Sequence, residues 1–87
     1  MDDGASALPP LSRLRWLCRR GMKELDVMLE AYLARAWETA SQDEKQAFVR
    51  LLDRQDPELW DWLTGRTEPE ERDLAHVVSR IRQPYAD

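Results

Sequence analysis

Hydrophobic residues recur along this chain at helical spacing, in five blocks separated by turn signals. Leu14, Leu17 and Cys18 stand at i, i+3 and i+4. They predict a short first helix capped by Ser12 and running to about Arg20, with Gly21 ending or bending it. Leu25, Leu29, Tyr32, Leu33 and Ala36 give a second, longer stripe, over about residues 22–39, and residues 23–40 hold no Gly or Pro. Ala47, Phe48, Leu51 and Leu52 form the apolar face of a third helix. Leu59, Trp60, Trp62 and Leu63 mark a fourth, and Leu74, Val77, Val78 and Ile81 a fifth. No segment supports a strand.

The polar residues between these blocks read as helix starts and stops. Ser41, Gln42, Asp43 and Glu44 follow the S-x-x-E capping box, in which Ser41 accepts from the Glu44 amide and Glu44 reaches back to the Ser41 amide. In Asp56-Pro57-Glu58, Asp caps, Pro fills the first helical position and Glu favours the positive helix end. Gly65 stops the fourth helix. Thr67 and Glu70 around Pro69 form another box before the fifth, which Pro84 ends. The expectation is an all-α, compact five-helix bundle in a single domain over residues 11–83. Residues 1–10 are expected to be a flexible N-terminal segment and residues 84–87 a C-terminal tail.

Composition narrows the function classes. At 87 residues the chain is one small domain. It buries only about 60% of its unfolded surface, which leaves little chain for a deep cleft. The single Cys excludes an internal disulfide and a Cys-rich zinc site, and the single His excludes His-paired metal sites. No apolar run approaches the roughly 20 residues of a membrane span. The N-terminus is acidic where a targeting peptide is basic. A cytoplasmic chain without membrane insertion is expected. Net charge is -4, and the acid excess lies entirely in residues 41–87, with seven basic and eleven acidic side chains. That balance opposes general nucleic-acid affinity, which needs a positive footprint.

Catalytic candidates are few. Cys18 and His76 are the only thiol–imidazole combination, but Cys18 lies on an apolar stripe and reads as a small core hydrophobe. Glu70 and Glu71 sit at a helix start, where they offset the dipole. No GxGxxG or Walker pattern is present, so no dinucleotide site is expected. Trp16, Trp37, Trp60 and Trp62 read mainly as core packing. Trp60 and Trp62 cannot share one helix face, and Leu59 and Leu63 bracket Trp62 as the inward one.

The anomalous stretch is residues 19–26. If it were helical, Arg19 and Lys23 would be like charges at i, i+4, Arg20 and Glu24 a pair in the weaker order, and Gly21 would cost about 1 kcal/mol relative to Ala. A chain optimising this helix alone would not carry these residues. The run Arg13-x-x-Trp16-x-Cys18-Arg19-Arg20-Gly21-Met22-x-Glu24-Leu25-Asp26 resembles the signature of the SdhE (YgfY-like) family, whose hallmark is Arg-Gly-x-x-Glu. A second block matches as well: Asp43-Glu44-Lys45, Leu51-Leu52, then Asp56-Pro57-Glu58-Leu59-Trp60-x-Trp62-Leu63. Together the blocks cover about residues 11–65.

The resemblance implies a five-helix assembly factor that promotes covalent FAD attachment to the flavoprotein subunit of succinate dehydrogenase, with fumarate reductase as a further client. The client supplies the histidine and holds the FAD, so the chain itself carries no cofactor, no metal and no catalytic residue. Arg20, Gly21 and Glu24 become client-contact residues, with Arg19, Lys23 and Asp26 as neighbours and Arg13 and Trp16 bordering the same surface. In this reading Gly21 permits close backbone approach, Arg20 pairs bidentately with a client carboxylate, and Glu24 orients Arg20 or accepts from the client. Binding selects a client conformation in which histidine and flavin are aligned. The free chain is expected to be a monomer. The alternative is a protein-binding antitoxin-type module of a toxin–antitoxin pair, a role the family has also been given. A helix-turn-helix reading of the Arg19–Lys23 cluster is opposed by the acidic balance.

Overall fold

A computed structural model describes residues 8–85, and within them the chain forms five α-helices and no strand. They are α1 (Leu11–Leu17), α2 (Lys23–Ala36), α3 (Gln42–Leu51), α4 (Asp56–Leu63) and α5 (Arg72–Arg82). Short 3-10 turns follow α2 (Trp37–Thr39) and α5 (Gln83–Tyr85). α5 lies against α2, α3 and α4, so the last helix closes the bundle.

The apolar faces read from the sequence form the core. Leu14, Leu25, Leu29, Tyr32, Phe48, Leu51, Leu59, Leu74 and Ile81 are almost entirely enclosed. Phe48 is stacked on Tyr32, with centroids 4.7 Å apart, and meets Trp37 at a steeper angle at 5.8 Å. Offset aromatic contacts of this kind add to area burial. Trp62 points inward and Trp60 is half-buried, as their neighbours required. Leu8 also packs against the core, within the segment expected to be flexible; residues 1–7 and 86–87 lie outside the described residues.

Helix boundaries depart from expectation where tertiary partners override local caps. α1 starts after Pro10 and ends at Leu17, before rather than at Gly21. Residues 19–22 are not helical, so the unfavourable charge spacings foreseen there do not arise. Ser41 accepts from the Glu44 amide at 3.1 Å as expected, but the Glu44 carboxylate turns inward instead of back to the Ser41 amide. α4 begins one residue early, with Gln55 at the cap and Asp56 inside the first turn. The Thr67–Glu70 box does not open α5, which starts at Arg72 after a buried Pro69. α4 ends on Gly65 at φ +82°, with the Gly65 amide on the Trp62 carbonyl and the Arg66 amide on the Asp61 carbonyl. That 5→2 and 6→1 pairing is the Schellman stop, which the positive φ of glycine allows.

Among the described residues one acid is enclosed in the bundle. The Glu44 carboxylate accepts from the Tyr32 hydroxyl at 2.5 Å, from His76 Nε2 at 3.1 Å and from Arg80 Nε at 3.3 Å. Burial alone would raise its pKa. The three hydrogen bonds and the Arg80 charge outweigh burial and hold the carboxyl below its ordinary value. Tyr32 is pushed up, by burial and then by the adjoining carboxylate. The network ties α2, α3 and α5 together.

Candidate functional site: the turn between α1 and α2

The connection between α1 and α2 is built around Gly21. Its φ is +85°, a left-handed conformation that glycine adopts without strain. A Cβ placed there would meet nothing within 4 Å. Backbone conformation, not internal crowding, therefore selects glycine, and this backbone stands open to solvent. Asp26 closes the turn from the α2 side, accepting from the Arg20 amide at 2.6 Å.

Arg20 points inward from this turn. Its Nε donates to Asp56 Oδ1 at 2.9 Å. Nη1 donates to the carbonyls of Leu17 at 3.0 Å and Leu52 at 2.7 Å, and Nη2 to that of Arg54 at 2.5 Å. Four of the five guanidinium N–H groups are thus engaged within the chain. The side chain is only 13% exposed. A bidentate pairing with an outside carboxylate would require breaking these bonds. Glu24 does not orient Arg20; Asp56, 36 residues further along, does. Sequence reasoning missed Asp56 because its place beside Pro57 already had a local explanation as a helix cap.

The other predicted site residues face outward. Gly21, Lys23, Glu24, Arg19, Arg13 and Trp16 are exposed, and Trp16, at 62%, is the most exposed large hydrophobic side chain among the described residues. Arg13, Arg19, Lys23 and Glu24 make no ion pair or side-chain hydrogen bond among the described residues. Lys23 and Glu24 also form one wall of a groove of about 500 Å³ between α2 and α4, floored by Val27, Met28, Trp60 and Leu63. The structure therefore brings Gly21, Lys23 and Glu24 together beside an apolar groove. It places Arg13, Trp16 and Arg19 on the outer face of α1 and its end, and it turns Arg20 and Asp26 to internal work.

Cys18 and His76 do not form a dyad. Cys18 is fully enclosed, and burial, followed by the Glu30 charge, pushes its thiol up to about 12. An inert thiol of this kind is a packing group. His76 is held on Glu44.

The geometry is thus a turn of unpartnered charges beside an apolar groove, on a small helical bundle. Comparison with known proteins gives the family. Residues 12–85 match the family described as flavinator of succinate dehydrogenase, and the chain belongs to that family. It is 50% identical to the FAD assembly factor SdhE of Methylococcus capsulatus, over 80% of this chain and 84% of that protein. It is 43% identical to the protein of that name from Serratia sp., over 80% of each chain. The counterpart from Coxiella burnetii is 41% identical, over 82% of this chain and 87% of its own.

Proposed function

We propose that this chain is an FAD assembly factor that binds the flavoprotein subunit of succinate dehydrogenase, and also that of fumarate reductase, and promotes covalent attachment of FAD. Family membership supports the class of activity. The observation that carries the choice of surface is Glu24: it belongs to the Arg-Gly-x-x-Glu hallmark, yet it is exposed and has no internal partner among the described residues. A residue with no part in holding the fold is free for contact with another protein.

In this reading Gly21 brings bare backbone against the client, and Lys23 and Glu24 meet client groups of opposite charge. Arg19, Arg13 and Trp16 extend the contact along α1. Arg20 and Asp26 belong to the same surface by shaping it. The chain donates no catalytic group. It binds the flavoprotein conformation in which the client's histidine and bound FAD are aligned, and the rate gain comes from that orientation. FAD remains the client's cofactor. The factor acts as a monomer in the cytoplasm.

The test is to produce a succinate dehydrogenase flavoprotein subunit with and without this chain, denature it, and read flavin fluorescence on a gel. Covalent flavin that depends on the chain and falls with Glu24→Ala is the expected result. Equal flavin in both lanes removes the function.

A further inference from the structure

We infer that Asp56 is a positioning residue for the client-binding turn, acting through Arg20, and that Arg20 serves the site as an internal brace, not as a contact. The inference rests on the assembly-factor reading and adds to it a residue outside the hallmark.

The geometry places Arg20 where four helix termini converge. Leu17, whose carbonyl receives Nη1, is the last residue of α1. Leu52 and Arg54, whose carbonyls receive Nη1 and Nη2, follow the end of α3. Asp56 is the first residue of α4, and Asp26, which accepts from the Arg20 amide, lies in the first turn of α2. Terminal carbonyls lack helical partners and carry the negative end of the helix dipole, so a cation is favoured at two of these ends. Only a planar fork with five donors can serve acceptors lying in so many directions; the ammonium of Lys cannot. Among the described residues Asp56 is the one acidic side chain on the guanidinium, and its bond to Nε fixes the plane in which the other donors point. Arg20 and Asp26 hold the Gly21 turn from both sides. The same brace ties the start of α4 to the start of α2, and so sets one end of the groove that Lys23, Glu24 and Trp60 line.

Direct contact and bracing make different predictions for a double-mutant cycle. Affinity for the purified flavoprotein subunit is measured for the full chain and for Arg20→Ala, Asp56→Ala and the double variant, with helicity checked in each. Arg20→Lys and Asp56→Asn, which keep volume and polarity, supply the cycle if an alanine variant does not fold. Each single change is expected to weaken binding about tenfold, and the double variant to be no weaker than the worse single one. Glu24→Ala combined with Asp56→Ala is expected to lose less than the product of the two losses, because part of the Asp56 effect passes through the placement of Glu24. Glu44→Gln, which perturbs the core without touching the turn, is expected to keep full affinity and so separates positioning from general loss of stability. Losses that multiply between Arg20 and Asp56, or full affinity in a folded Asp56 variant, overturn the brace. A wild-type chain that does not bind the subunit overturns the assembly-factor reading itself, and the brace with it.

Discussion

Arg20 and Glu44 each gather several helices around one largely enclosed charge, but they do so with opposite kinds of partner. Arg20 donates mostly to main-chain carbonyls at helix ends and in turns. Glu44 accepts only from side chains projecting from helix bodies, Tyr32, His76 and Arg80. The first arrangement fixes the path of connecting segments, the second the packing of finished helices. The difference shows how a hallmark arginine can bear on a surface without standing on it: in the reading we propose, it sets the loop that meets the partner.

The largest effect is expected at Glu44. Glu44→Ala leaves the Tyr32 hydroxyl and the Arg80 guanidinium without their acceptor, and is expected to cost about 3 kcal/mol in chemical denaturation. Affinity of the folded fraction for the flavoprotein should not change. Arg20→Ala is expected to cost about 2 kcal/mol, because several of the freed carbonyls can take up water. Affinity should fall as well, and a titration measures both effects in one variant.

Acid provides a gentler probe of the same contrast. The Glu44 carboxyl is held below its ordinary value of 4.5 in the folded chain. Its contribution is therefore complete above that value and is lost as pH falls through the lower folded one. Urea midpoints taken at stepwise lower pH should decline across this window, and Glu44→Gln should flatten the decline. At the turn, Gly21→Ala is expected to cost about 1 kcal/mol from backbone strain alone, since no atom opposes the new methyl. Gly21→Arg should cost the same stability yet abolish flavoprotein binding, so the pair divides strain from contact. The smallest effect is expected at Cys18, where a thiol reagent should show no labelling until the chain is unfolded.

The core was legible in the sequence because helical spacing directly reports which side chains share a face: Leu25, Leu29, Tyr32, Leu33 and Ala36 all turned out buried. Helix starts were less legible. Local patterns at Asp56 and Glu44 predict helix-start roles for both, but their carboxylates are taken by partners 12 to 36 residues away. No short-range rule can anticipate such partners. The outward residues of the site were reached through resemblance to a family. The inward orientation of Arg20 could not be, because its acceptors are mostly backbone carbonyls, which every sequence possesses and none advertises.

The central claim is that the surface at Gly21 and Glu24, separate from the bundle that carries it, promotes flavin attachment. It is tested most directly by following covalent flavin incorporation into a purified succinate dehydrogenase flavoprotein subunit supplied with FAD, comparing wild-type chain, Glu24→Ala and Glu44→Gln. The account predicts a wild-type rate with Glu44→Gln and a rate near that of no added chain with Glu24→Ala, although Glu24→Ala is fully folded. A wild-type rate with Glu24→Ala would contradict it.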